Sequence, residues 1–198
     1  MLFRSKIICK YNIEDNSWET IYSCDTDVKR GACMIGLSKY LYFFGGMPAS
    51  KEACKFNPAK RKCKKLTDMQ QGRYNAFGAA EQGKIYIAGG KQQGEHNCYV
   101  QTCEVYDVAT KEWQFIASLN FPRFEASMVC YDGVLYVLGG LSNEGPARAL
   151  TVECYDKEAN EWKEATTIPN HASNDPCKFQ ACLLRNYKRY FDAFPPLQ

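Results

Sequence analysis

Histidine is scarce in this chain: His96 and His171 are the only two in 198 residues. A metal site would need further nitrogen, sulfur or oxygen ligands converging on them. His96 and Cys98 on one loop do not make such a set. The sequence also lacks a Gly-x-Ser-x-Gly turn, a glycine-rich phosphate loop ahead of a helix, and a His-Glu-x-x-His pair. Carboxylates such as Glu95, Glu125 and Glu144 are not placed at catalytic distance by spacing alone. No catalytic residue, cofactor or metal ligand is therefore assigned, and the chain is expected not to be an enzyme.

Long apolar runs are missing as well, and none approaches the roughly 20 residues that cross a bilayer. The start, Met1–Ile8, has neither the apolar core nor the small-residue cleavage site of a signal peptide. Charge of one sign is nearly balanced: 25 Lys and Arg against 22 Asp and Glu leave a net +3. That balance argues against nucleic acid and against a membrane surface as partners. The densest basic run, Lys60–Lys65, falls at a tight turn and the strand after it, where it reads as a solvated face.

Cysteine, by contrast, is plentiful. There are 11, an odd number, with no Cys-x-x-Cys pair, which argues against a disulfide framework or a zinc site. Cys33, Cys130, Cys154 and Cys182 lie within apolar stretches, where a reduced thiol packs as a small hydrophobe. A reducing compartment is expected, cytoplasmic or alternatively nuclear.

An internal repeat organises the chain. Three strand-like runs end in a glycine pair: at Gly45-Gly46, Gly89-Gly90 and Gly139-Gly140, each with a tyrosine (Tyr42, Tyr86, Tyr136) three residues before the first glycine. An aromatic is followed seven residues later by tryptophan at Tyr11–Trp18, Tyr106–Trp113 and Tyr155–Trp162; the remaining repeat has Phe56 and Cys63. Ten residues past the tryptophan position stand Arg73 and Arg123; Arg30 comes two residues later in its repeat, and Ala172 takes the place in the last. Each repeat thus reads as four short strands, a to d, with strand a after the arginine (about 32–37, 75–80 and 125–131), b running into Gly-Gly, c ending at the aromatic and d carrying the tryptophan. A four-stranded sheet recurring at about fifty residues is a propeller blade, so the expected fold class is all-β, about three complete blades plus partial terminal strands. The expected layout is 7–23 (partial), 30–67, 73–117, 123–166 and a terminal strand at 177–184, within a repeat region 1–185 followed by a tail, 186–198. The glycines answer to close backbone approach or unusual φ. The large rings fill the gaps between blades, which predicts that losing Trp18, Trp113 or Trp162 destabilises far more than losing Cys63, and that the Phe56–Cys63 blade is the worst packed.

These marks in register resemble the kelch repeat, and the segments EVYDVATKEWQFIASLNFPRFEASMVCYDGVLYVLGG (104–140) and ECYDKEANEWKEATTIP (153–169) resemble the BTB–kelch family. The resemblance implies a β-propeller of six blades. This sequence holds three and a fraction, and the BTB and BACK domains of that family are not in it. It also implies a protein-binding role, as the substrate-recognition part of an adaptor for a cullin-RING ubiquitin ligase that a BTB domain would hold. Actin or cytoskeletal binding is the alternative, and a propeller enzyme ranks behind both. In a meander the b–c and d–a loops share one end of the sheets, and variable loops on a rigid base are where recognition resides. The candidate contact residues there are Arg73, Asn75, Gln93, His96, Arg123, Glu125, Asn143 and Arg148. Ala32 is the counterpart of Asn75 in the weaker second repeat, as is Ser173 in the last. For Arg30, Arg73 and Arg123 a structural role, bonding loop carbonyls within each blade, is favoured over direct contact.

Overall fold

The computed structural model describes residues 2–4, 7–23, 28–94, 98–143 and 150–168. All regular structure among them is β. Blade I is a three-stranded sheet of β1 (Leu2–Arg4), β2 (Ile7–Asn12) and β3 (Ser17–Ser23). Blade II is β4 (Cys33–Leu37), β5 (Tyr40–Phe44), β6 (Ala53–Asn57) and β7 (Lys62–Lys65). Blade III is β8 (Phe77–Glu81), β9 (Lys84–Ala88), β12 (Cys103–Asp107) and β13 (Glu112–Ile116); its b–c loop carries a ribbon of β10 (Lys91–Gln92) and β11 (Cys98–Tyr99). Blade IV is β14 (Ser127–Tyr131), β15 (Val134–Leu138), β16 (Thr151–Asp156) and β17 (Glu161–Thr167). The all-β propeller architecture expected from the repeat is what the chain adopts.

Local chemistry explains the meanders. The a–b turns of blades III and IV are two-residue hairpins whose inner residues take positive φ: Gln82 and Gly83 at 47° and 78°, Asp132 and Gly133 at 48° and 78°. That pair of angles matches the twist of the flanking strands. The c–d turns are held by side chains that cap their own loop: Asp107 Oδ1 accepts from the amides of Ala109 and Thr110, and Asp156 Oδ1 from those of Glu158 and Ala159. Strands β4, β8 and β14, the a strands, lie next to one another, so they line the propeller axis and the d strands lie outermost.

The core is not one mass but three layers, each between two blades. Strand alternation sorts it: Phe43 faces blade I, while Tyr42 and Phe44 face blade III. Ile85 and Ile87 face blade II, while Tyr86 and Ala88 face blade IV. Trp113 and Trp162 hold equivalent places. Each indole donates to a carbonyl of the preceding blade, Thr67 O at 2.9 Å and Ala117 O at 3.0 Å, with its own tyrosine ring at 5.0 Å.

Three expectations are corrected here. Trp18 is 58% exposed, whereas Trp162 is 5% exposed. The tryptophan always faces the blade before its own, and among the described residues no blade lies on that side of blade I. The Phe56–Cys63 seam is also better filled than its missing tryptophan suggests. Phe56 is wholly buried, Tyr22 from blade I packs on it at 5.0 Å, and Ile8, Ile21 and Phe43 close the layer. The expected strand a began too early as well: β8 and β14 start at Phe77 and Ser127, because Asn75 and Glu125 have φ of 52° and 53° and cannot extend a strand. The segments 177–184 and 186–198 lie outside the described residues.

Candidate protein-binding face

The repeat arginines are interior girders. Arg73 and Arg123 are 0% exposed. Arg73 Nη1 donates to the carbonyls of Gly89 and Thr102 at 2.9 Å each, and Nη2 to Glu104 Oε1 at 2.8 Å. Arg123 repeats the pattern with Gly139, Thr151 and Glu153. The carboxylates are equally buried. Glu104 also accepts from the amides of Gln70 and Gln71, and Glu153 from that of Asn120. Burial holds the Arg123 guanidinium below its ordinary value, and Glu153 opposes that shift. A charge in this setting is sustained by its paired carboxylate and by hydrogen bonds; Arg123 Nε donates to Glu153, whereas the buried Arg73 Nε has no partner.

The backbone of the same arginine joins the next sheet. The Gly46 amide donates to Arg73 O at 2.9 Å, and the Gly90 amide to Arg123 O at 2.7 Å. The first glycine of each pair presses on that carbonyl: a Cβ on Gly45 would collide with Arg73 O, and one on Gly89 with Arg123 O. The glycine pair is therefore a blade-to-blade joint, and the arginine ties its own sheet to the one before.

This geometry relocates the second repeat's mark. Arg73 and Arg123 each precede their first glycine by 16 residues, and 45 − 16 = 29 points to Lys29, not Arg30. Lys29 Nζ reaches Ser50 Oγ at 3.1 Å and Glu52 Oε2 at 2.8 Å. Glu52 stands where the other blades have Thr102 and Thr151, and buried Cys54 stands where they have glutamate. The lysine network is half exposed, so this blade has a looser version of the same tie.

Two residues past each mark comes a residue near the axis with left-handed backbone: Gly31, Asn75 and Glu125, with φ of 74°, 52° and 53°. Gly31, not Ala32, is thus the counterpart of Asn75. Asn75 N donates to Gly31 O at 2.7 Å, Glu125 N to Asn75 O at 3.0 Å, and Asn75 Nδ2 to Glu125 Oε1 at 2.8 Å. Asn75 and Glu125 therefore form an arc of linked polar groups at the mouth of the axis, half-buried on the b–c and d–a loop face.

Around that arc the loops are stitched down by short bridges. The Met47 amide donates to Arg30 O, while Tyr74 pairs with Lys91 and Phe124 with Leu141. Tyr99 stacks on Phe124 at 5.0 Å and 13°, and the Lys91 ammonium lies 3.7 Å from the Phe124 ring centroid. The half-buried Lys91 thus caps the buried Phe124 ring through a cation–π contact. Arg30, Gln93 and Asn143 are exposed on this face. Of the predicted contact residues, Asn75, Gln93, Glu125 and Asn143 are brought to one surface. Arg73 and Arg123, offered as contact candidates, are instead the internal supports that the favoured structural reading made them, bonding backbone carbonyls. His96 and Arg148 lie outside the described residues, as does Ser173. Sequence reasoning missed Lys29, Glu104, Glu153 and the Lys91–Tyr99–Phe124 cluster; the constant 16-residue step to Gly-Gly was the signal for the first.

Chemically the described residues offer partners for hydrogen bonds and charges. They form no His, Cys, Asp and Glu cluster able to hold a metal. Burial pushes the thiols of Cys33 and Cys103 up to about 12, which keeps both protonated and unreactive.

Matches to the Kelch motif model fall on residues 72–120 and 122–169. These are kelch repeats. The chain is 30% identical to F-box/kelch-repeat protein At1g67480 of Arabidopsis thaliana over 67% of its length, covering 32% of that protein. It is 30% identical to human Kelch-like protein 23 over 78% of its length, covering 27% of that protein, and 31% identical to rat Kelch-like protein 7 over 81%, covering 36%. The kelch chain thus spans about a quarter to a third of these relatives. The solved structure of YjhT superposes with a TM-score of 0.61 at 16% identity, over 73% of this chain and 53% of that one; this likeness is one of fold. The chain is built of propeller blades, with kelch repeats at 72–120 and 122–169 that resemble those of kelch-like proteins.

Proposed function

We propose that this kelch chain is a protein-recognition module with no catalytic role, which holds its target on the b–c and d–a loop face. One observation carries the reading. The charged residues that recur by register are spent inside the blades, while residues that differ between blades (Arg30 and Tyr74; Met47, Lys91 and Leu141) crown the face. A constant frame with variable surface is what a binding scaffold needs. Kinship with kelch-like proteins supports a finer reading: substrate recognition in an adaptor of a cullin-RING ubiquitin ligase, acting in the cytoplasm. In that role the chain supplies target binding, and ligase recruitment falls to a BTB domain.

The test is affinity purification with mass spectrometry, comparing the unaltered chain with Arg30→Glu/Gln93→Ala/Asn143→Ala. A Gln82→Ala/Glu158→Ala variant on the opposite face is the control. Loss of the same captured proteins in the first variant alone is expected. An unchanged list in the first variant overturns the choice of face.

A further inference from the structure

The basic run Lys60–Lys65 finds no role in the loop face, and its placement is unusual. Within blade II the side chains of Tyr42, Lys55 and Lys64 form one row across β5, β6 and β7, with Lys55 directly opposite Lys64. Like charges directly opposed on a sheet are destabilising. The corresponding pairs elsewhere avoid this: Val105 faces Gln114, Cys154 faces Lys163 and Lys10 faces Glu19. Lys163 is further neutralised by Asp156 at 2.8 Å and Glu161 at 2.7 Å. Only blade II sets ammonium against ammonium.

The row opens into a cleft of about 170 Å³ between blades II and III. Lys55, Lys64 and Lys65 rim it from one side, and Lys111, in the c–d turn of blade III, from the other. Between them lie the half-buried Leu66 and Val108. Among the described residues, Lys55, Lys64 and Lys111 make no ion pair with a carboxylate; Lys65 has only an exposed one, 3.7 Å from Asp68. The Lys55 ammonium lies instead over the Tyr40 ring, 4.6 Å from its centroid.

We propose that this cleft docks an acidic segment of a partner protein. Its carboxylates sit among Lys55, Lys64 and Lys111, and a short apolar side chain covers Leu66 and Val108. Charge complementarity fixes the sign of the occupant. The rings argue against a nucleic acid: Tyr42 and Tyr106 are 2% and 1% exposed and offer no face on which a base could stack. The cleft is lined by the outer strand β7, the start of the connection after it (Leu66 and Thr67) and the c–d turn of blade III, and it shares no residue with the surface proposed above, so the two stand or fall separately.

The test is fluorescence anisotropy of the full chain with a fluorescein-labelled decapeptide alternating Glu and Leu, beside its Gln–Leu counterpart. Expected are saturable binding of the Glu peptide, weakening as salt is added, and a loss of about tenfold or more in Lys64→Glu. Lys51→Glu, the same charge change on the loop face, should leave the affinity unchanged. Lys64→Glu sets a carboxylate opposite Lys55, as Glu19 stands opposite Lys10, so its melting temperature should hold or rise and loss of binding is not loss of fold. No binding, equal binding of the Gln peptide, or an unaffected Lys64→Glu overturns the proposal. So does equal, Lys64-dependent binding of a single-stranded oligonucleotide or of anionic phospholipid vesicles, which would mark a surface for polyanions at large.

Discussion

The carbonyl oxygen of Arg73 lies 2.9 Å from the amide nitrogen of Gly46, while its guanidinium lies 2.8 Å from Glu104. One residue therefore closes its own sheet through the side chain and clasps the preceding sheet through the backbone. Arg123, with Gly90 and Glu153, does the same one blade on. The frame beneath the loop face depends on these ties.

Removing a carboxylate should expose that dependence. Glu104→Ala or Glu153→Ala strands a buried guanidinium and should cost about 3–5 kcal/mol. Glu52→Ala, at the half-exposed Lys29 pair, should cost less than about 1 kcal/mol. Urea unfolding of the three variants checks the order.

The glycine joints make a second contrast. Gly45 and Gly83 both have positive φ, 72° and 78°. A Cβ on Gly83 meets nothing within 4 Å, whereas one on Gly45 collides with the Arg73 carbonyl. Gly83→Ala should cost about 1 kcal/mol, from backbone strain alone. Gly45→Ala should cost about 3 kcal/mol, because the joint must also open. Equal denaturation midpoints would refute the joint.

Tryptophans that look alike in sequence should behave differently. Trp162→Ala should cost about 3–5 kcal/mol, since it empties a buried site between blades. Trp18→Ala, at a ring 58% exposed, should cost about 1 kcal/mol or less. Thermal melts of the two variants decide this.

Much of this was legible in the sequence, and the misses have physical causes. Gly-Gly, Tyr/Phe and Trp recur because each occupies a fixed place between sheets, so the repeat revealed the blades and their inward rings. Lys29 was overlooked because arginine was taken as the mark, although what recurs is a cation 16 residues before the first glycine. Glu104 and Glu153 carry no local signal, since their partners are about 30 residues away in sequence. Trp18 was misjudged because burial depends on the neighbouring blade, and the repeat itself is silent about neighbours.

Stability should fall at alkaline pH. Burial raises the thiols of Cys33 and Cys103 from 9.0 to about 12, and the Tyr86 hydroxyl from 10.0 to about 12. The unfolded chain ionises these groups first, so the folded state binds more protons there. Their contribution is whole below about pH 9 and is lost as pH rises toward about 12. Urea midpoints should drop across that window, and less steeply in Cys33→Ala/Cys103→Ala. A flat profile would contradict the burial of these groups.

Hydrogen exchange of the chain alone and with a captured target tests the central claim most directly. The account predicts new protection at 28–32, 90–94 and 141–143, where the d–a and b–c loops crown the axis, with the a–b turns at 82–83 and 132–133 unchanged. Protection confined to those turns, with the loops exchanging as before, would contradict it.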